Sequence, residues 1–124
     1  MSKPLRIAMF FLGLGLAAFE PPGRAASPLA GKDLFEKRCG GCHSLDGDKE
    51  GPRLRGVYGR PAGTVASFHY SEALKSARFT WDDKTLEKWL TEPANVIPDT
   101  DMDFRLPRSE ERSEIIAYLK QLSK

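Results

Sequence analysis

Apolar residues recur at the spacing of an α-helix in three separate stretches of the chain. The last stretch has apolar residues at positions i, i+1, i+4 and i+7. The middle one ends at Glu92-Pro93, because the residue before a proline is pushed out of the helical region. The apolar positions are Leu34, Phe35 and Cys39 in the first stretch, Leu86, Trp89 and Leu90 in the second, and Ile115, Ile116, Leu119 and Leu122 in the third. These stripes predict three helices that each bury one face.

Residues suited to helix N-termini precede the predicted helices. Their short side chains accept hydrogen bonds from the free N–H groups of the first turn. The candidates are Ser71 for a short helix over residues 70–77, Thr80 or Asp82 for the middle helix, and Ser109 for the last helix.

Two long segments between these helices lack a regular pattern. Residues 44–66 are rich in glycine, proline and charged side chains, which predicts an irregular loop, and residues 96–106 form a second loop. A structureless stretch as long as the first is uncommon in a compact domain. A large planar cofactor around which the loop wraps would account for it.

The N-terminus has the order of a secretory signal peptide. Lys3 and Arg6 precede an apolar run over residues 7–19, and small residues follow near residues 23–27. The run is shorter than the roughly 20 apolar residues of a membrane-spanning helix. We therefore predict a signal peptide over residues 1–26, with a boundary uncertain by two residues, and one domain over residues 27–124. An uncleaved membrane anchor is the alternative.

Charge is balanced in the predicted domain. The whole chain has 19 basic and 17 acidic residues, a net charge of +2. Removing Lys3, Arg6 and Arg24 from the first group and Glu20 from the second leaves 16 of each. No clustered basic face is evident, so we do not expect a nucleic-acid partner.

The segment Cys39-Gly40-Gly41-Cys42-His43 has the C-x-x-C-H spacing of covalent c-type haem attachment. Each thiol can form a thioether with one haem vinyl group, and the adjacent imidazole can bind the iron. An exported chain with this motif is typical of a bacterial periplasm, where attachment also occupies two thiols that would otherwise oxidise.

Three other interpretations of the two cysteines fit the sequence less well. A thioredoxin-like dithiol does not need the adjacent histidine and accompanies a βαβ pattern that is missing here. A zinc site needs four ligands, but the only other histidine is His69 and there is no third cysteine. A structural disulfide remains the third alternative.

Two further residues have side chains suited to a haem. Met102 lies among three aspartates in the 96–106 loop, an unusual place for a core residue, and its thioether can serve as a soft axial ligand. Core packing is the alternative for Met102. Arg60 is the best candidate in the 44–66 loop to pair with a haem propionate, since guanidinium matches carboxylate well.

In the order of its motifs the chain resembles the class I cytochromes c of the small soluble monohaem type, close to the mitochondrial and bacterial c2 proteins. The resemblance covers nearly all of residues 27–124. Besides the haem motif, it rests on Gly31 and Phe35, the segments 51–60, 70–73 and 97–104, Trp81, Glu111-Arg112 and the segment 116–119.

This resemblance implies an all-α fold in which the N- and C-terminal helices cross and short helices and long loops surround one covalent haem. It also implies a role for each site residue. Cys39 and Cys42 would form the thioethers, His43 and Met102 would bind the iron, Pro52 would accept a hydrogen bond from His43, and Arg60, Tyr70, Trp81 and Thr100 would contact the propionates.

The function implied is one-electron transfer between redox proteins by a monomeric periplasmic carrier that is not an enzyme. Two alternatives remain, namely a haem subunit held in a periplasmic oxidoreductase complex and a five-coordinate haem sensor or peroxidase. The chain also departs from the family pattern. Trp89 replaces a frequent tyrosine whose hydroxyl contacts the methionine sulfur in the relatives. The lysines around the haem edge are missing, with Ala94 and Asp101 at two such positions.

Overall fold

The protein is helical. A computed structural model describes Gly23 and residues 25–124. Its five helices are α1 (Pro28–Arg38), α2 (Glu72–Lys75), α3 (Asp83–Thr91), α4 (Pro93–Val96) and α5 (Ser109–Gln121). Within the described residues no β-strand forms, and the only strand-like pairing is an isolated antiparallel bridge between Pro61 and Thr80. The all-α prediction is confirmed.

The predicted signal peptide lies almost entirely outside the described residues, so the boundary at residue 26 stays a prediction. Helix α1 begins just beyond it, with a proline in its first turn, where the missing N–H costs no hydrogen bond. In residues 25–124 and Gly23, no helix is both long and apolar enough to cross a membrane.

Helices α1 and α5 cross at Gly31. A Cβ at this position would overlap the carbonyl oxygen of Glu114 and would lie 2.7 Å from the Cβ of Tyr118. The two backbones therefore approach closely only because residue 31 has no side chain. Beside the crossing, the rings of Phe35 and Tyr118 pack with centroids 5.8 Å apart, and Ile115 is fully buried. This contact joins the two ends of the domain.

The middle helices begin where the sequence predicts. Asp82 caps α3 by accepting a hydrogen bond from the N–H of Thr85 at 2.8 Å, and the hydroxyl of Thr85 accepts one from the N–H of Asp82. Such a reciprocal pair satisfies two free donors. Ser71 caps α2 by accepting a single hydrogen bond from the N–H of Leu74.

Two details of the helix boundaries differ from the sequence-based expectation. Ser109 is the first residue of α5 rather than its cap, because the extended residue before it is Arg108, which makes no capping hydrogen bond. Helix α4 is a single turn that the apolar pattern does not reveal, since only Pro93 of its four residues is buried. It overlaps the predicted 96–106 loop only at Val96.

The 44–66 segment is irregular, as predicted, yet part of it belongs to the core. Val57, Ala62 and Val65 are buried, and three backbone hydrogen bonds attach the segment to the residues before α3. The N–H of Gly59 donates to the carbonyl of Trp81 at 2.7 Å, that of Ala62 to Phe79 at 2.9 Å, and that of Trp81 to Arg60 at 3.0 Å. The loop is thereby ordered by contacts with distant sequence.

Arg112 connects α5 to α3 and to the end of the second loop through an ion pair and hydrogen bonds. Its side chain is only 10% exposed and pairs through Nε with Glu87 of α3 at 2.7 Å. One terminal nitrogen donates to the carbonyl oxygens of Leu106 at 2.6 Å and Pro107 at 3.0 Å. A buried guanidinium thus links two helices and the loop that carries Met102.

We expect Gly31→Ala to destabilise the protein by about 1–3 kcal/mol, because the methyl group forces α1 and α5 apart. Helix propensity alone would change stability in the opposite direction. Gly47→Ala is the control, since its Cβ would find its nearest neighbour at an ordinary 3.6 Å. Denaturant unfolding measures both variants, and an equal or higher stability of Gly31→Ala would contradict the close crossing.

Arg112→Met should lower the free energy of unfolding by about 2–4 kcal/mol, because it removes charged hydrogen bonds and leaves buried carbonyls without donors. The control is Lys32→Met, which breaks the exposed Lys32–Glu36 pair at 3.1 Å. Exposed pairs contribute at most about 1 kcal/mol. Equal losses in the two variants would show that Arg112 is no more important than a surface charge.

Candidate functional site

One cavity of about 470 Å³ lies between the helices and the two loops. Its wall contains most of the residues proposed from the sequence, although they come from distant parts of the chain. They are Cys39, Cys42, His43, Pro52, Arg60, Tyr70, Trp81 and Met102. Thr100 is not in the wall. The remaining surface is largely apolar and includes Leu86 and Leu90 of α3 and Ile115 and Leu119 of α5.

The two cysteines differ in environment. Cys39 directly follows α1, its N–H donates to the carbonyl of Phe35 at 2.8 Å, and burial raises the pKa of its thiol to about 11. Cys42 is exposed at the edge of the cavity, where its thiol donates to the Glu50 carboxylate at 3.4 Å. That hydrogen bond raises the pKa of Cys42 as well. Cys39 and Cys42 do not form a disulfide with each other.

His43 is held in one orientation. Its Nδ1–H donates to the carbonyl oxygen of Pro52 at 2.8 Å, which leaves Nε2 as the nitrogen with a free lone pair. Gly51 allows the ring to lie against the backbone, because a Cβ there would overlap Cε1 and lie 2.6 Å from Nδ1. Burial lowers the pKa of His43 and so favours the neutral imidazole, the form that binds metals.

Met102 lies in the second loop and lines the cavity. The indole Nε1–H of Trp89 donates to this sulfur at 3.1 Å. The N–H of Met102 donates to the hydroxyl of Thr100 at 3.4 Å. Thr100 therefore contacts the backbone of Met102 and does not line the cavity.

Arg60 brings a positive charge into the wall without a carboxylate partner in the described part of the chain. Its guanidinium donates to the carbonyl oxygens of Arg53 at 3.0 Å and Arg55 at 3.4 Å. Burial lowers its pKa, so a negative group nearby would be favourable. Trp81 and Tyr70 lie in the same wall, and the Tyr70 hydroxyl accepts a hydrogen bond from the N–H of Val65 at 3.2 Å.

This set of residues fits a covalently bound haem. The volume and the apolar wall suit a large planar ligand. Two thiols can anchor it, a neutral imidazole and a thioether can bind its iron, and an unpaired guanidinium can receive a carboxylate. All of these groups border one cavity in the described residues.

Sequence reasoning did not identify two contacts of the site. Gly51 was only one of many glycines in an irregular loop, and its packing against His43 has no signature in the sequence. The bond from Trp89 to Met102 was also missed, although Trp89 stands out as a departure from the family pattern. Helical periodicity places Trp89 in the core but cannot indicate what its N–H contacts.

Comparisons with known proteins identify the family of this chain. The family model described as "Cytochrome c" matches residues 29–123. Cytochrome c of Nigella damascena is 40% identical over 105 residues, which covers 82% of this chain and 92% of that protein. Cytochrome c of Euglena viridis is 45% identical over 95 residues, covering 74% and 93%.

A solved structure extends the agreement to the fold. Cytochrome cH from Methylobacterium extorquens superposes with a TM-score of 0.73 at 36% identity, covering 77% of this chain and 99% of that one. The resemblance drawn from the motifs is confirmed. The chain therefore belongs to the cytochrome c family, whose members bind one covalent c-type haem and transfer electrons without being enzymes.

Proposed function

We propose that this protein is a periplasmic carrier of single electrons whose haem iron is bound by His43 and Met102. The observation that carries the proposal is the shared cavity, which both ligands border together with Cys39 and Cys42. When bound, the haem supplies a reversible Fe(III)/Fe(II) couple. With both His43 and Met102 bound to it, the iron would have no open position for oxygen or a substrate.

The chain's own residues prepare this coordination. Cys39 and Cys42 form the thioethers and so fix the ring beside His43. Pro52 and Gly51 hold the imidazole with Nε2 available, as outer-shell partners do for metal-binding histidines. Burial keeps that imidazole neutral. Met102 completes the ligand set with a soft donor that favours the ferrous state.

The propionates are held by Arg60, Tyr70 and Trp81 in this proposal. Support comes from the common wall and from the guanidinium of Arg60, which has only carbonyl partners within the described residues. A carboxylate beside Arg60 would offset the cost of burying its charge. We assign Thr100 an indirect contribution, through its hydrogen bond to the backbone of Met102.

Location and partners are inferred from the sequence and the relatives. The signal peptide over residues 1–26 supports export, and a bacterial relative, cytochrome cH, has the same fold. The partners are a redox protein that donates an electron and another that accepts it. A nearly neutral domain supports a monomeric carrier that meets them transiently, with no nucleic acid and no membrane span after processing.

Met102→Ala tests the ligand assignment. We expect loss of the weak far-red absorption band of methionine-ligated ferric haem, a lower midpoint potential and binding of carbon monoxide by the ferrous protein. Asp103→Ala, an exposed neighbour in the same loop, should retain the band. If Met102→Ala keeps the band and the potential, the sulfur is not a ligand and the carrier function loses its basis.

The charges near the cavity predict a shallow salt dependence of electron transfer. Glu50, Asp101 and Asp103 border the cavity together with Arg38 and Arg60. Lys49 lies nearby with its ammonium donating to the carbonyl of Gly40 at 2.6 Å, so the two signs of charge are balanced. Oxidation of the reduced protein by anionic ferricyanide should therefore change less than about threefold between roughly 10 and 150 mM ionic strength. Stopped-flow absorbance measures the rate.

The matched control for this measurement is the double variant Asp101→Lys/Asp103→Lys. It gives the edge a positive field, so its rate with ferricyanide should be higher at low salt and fall steeply as salt is added. A cationic cobalt(III) oxidant should show the opposite trend. A steep fall with ferricyanide in the unmodified protein would contradict mixed charge at this edge.

A further inference from the structure

The segment that contains Met102 is weakly attached to the rest of the protein. None of residues 98–105 is buried, and only Thr100 and Met102 are partly buried. In the part of the chain that the structure describes, no hydrogen bond between backbone groups involves this segment. Asp99 adopts the left-handed conformation, with a φ of 60°, which is unfavourable for a residue with a Cβ. Such a segment opens locally at a low free energy.

Both ends of the segment are firmly held. Before it, Ile97 is buried and its N–H donates to the carbonyl of Pro93 at 3.0 Å. After it, Leu106 is only 2% exposed and its N–H donates to the carbonyl of Leu90 at 2.7 Å. Contacts made by side chains between these two points therefore determine how often Met102 leaves the cavity.

One such contact is an ion pair with the preceding helices. Nη1 of Arg105 lies 2.9 Å from Oε2 of Glu92. The backbone of Glu92 is fixed, because this residue joins α3 to α4 and its N–H donates to the carbonyl of Lys88 at 3.1 Å. Its side chain is only 27% exposed, so solvent screens this pair less than a pair on the open surface.

Arg105 has a second acidic neighbour within its own segment. Asp103 lies 4.0 Å away and its side chain is 96% exposed, so this contact attaches the segment to nothing else. Among the ion pairs of the described residues, the one between Glu92 and Arg105 is therefore the one that connects residues 98–105 with another part of the chain.

We propose that Glu92 and Arg105 are positioning residues whose ion pair holds the 98–105 segment closed and so keeps the Met102 sulfur at the iron. This inference rests on the proposed binding of Met102 to the iron. Without the pair, a larger fraction of the protein has the segment open and Met102 displaced. A ligand that competes with Met102 binds only that fraction, so its apparent affinity follows the open population.

The test measures the affinity of imidazole for the ferric, haem-loaded protein, followed by the loss of the far-red band. Imidazole is used at a pH where it is uncharged, so that surface charge does not attract or repel it. The variants are Glu92→Gln, Arg105→Gln and the double variant. The matched control is Glu36→Gln, which removes the same charge from the exposed Lys32–Glu36 pair on α1.

Each single variant should bind imidazole about two- to fivefold more tightly, which is the effect of one partly exposed ion pair. The two substitutions remove opposite charges, so a general electrostatic effect on the iron would change the affinity in opposite directions. The double variant should resemble the single variants instead of multiplying their effects, because all three lose the same pair. Glu36→Gln should bind imidazole like the unmodified protein.

Two further measurements examine the same pair. Added salt should raise the imidazole affinity of the unmodified protein and leave that of the double variant unchanged, since only the first has a pair to screen. Amide hydrogen exchange of residues 99–104 should be faster in both single variants. This second readout does not depend on which ligand the iron has.

The inference is overturned if both single variants bind imidazole like the unmodified protein, if their affinities change in opposite directions, or if their effects multiply in the double variant. Met102→Ala separates this failure from that of the proposed function. If Met102→Ala retains the far-red band, the proposed function fails and the inference fails with it. If Met102→Ala loses the band while the Glu92 and Arg105 variants behave like the unmodified protein, the inference alone fails.

Discussion

The close approach of α1 and α5 at Gly31 positions both sides of the haem site. Helix α1 runs directly into Cys39, so its placement determines where the thiols and His43 lie. Helix α5 contributes Arg112, whose guanidinium holds the carbonyls at the end of the loop that carries Met102. The contact between α1 and α5 thus influences the separation of the segments that contain His43 and Met102.

The site combines an apolar cavity with a few polar groups that are oriented by hydrogen bonds to other parts of the protein. His43 donates to Pro52, Trp89 donates to Met102, and Arg60 donates to two loop carbonyls. Groups held in this way need little rearrangement when the charge of a bound metal changes. In a protein that transfers electrons, this preorganisation keeps the structural cost of each transfer small.

The edge of the cavity near Cys42 differs in character from its interior. Glu50 contacts Cys42 there and Lys49 donates to the nearby carbonyl of Gly40, while the domain as a whole is nearly neutral. Complementary charge mainly raises the rate of encounter between proteins. A surface of balanced charge therefore suits partners that lack a strongly charged docking surface. The rate of encounter with such partners should depend little on the salt concentration.

The sequence by itself determined the chemistry and the class of fold. C-x-x-C-H indicates its cofactor because a spacing between adjacent residues of the chain is a local property. Helical periodicity together with Asp82 and Ser71 located most helices. Tertiary structure alone decided which distant residues meet. The contact of Gly51 with His43, the bond from Trp89 to Met102 and the position of Thr100 outside the cavity wall depend on how loops pack against helices. Such contacts join residues far apart in the chain or within irregular loops, where no repeating pattern records which atoms face each other.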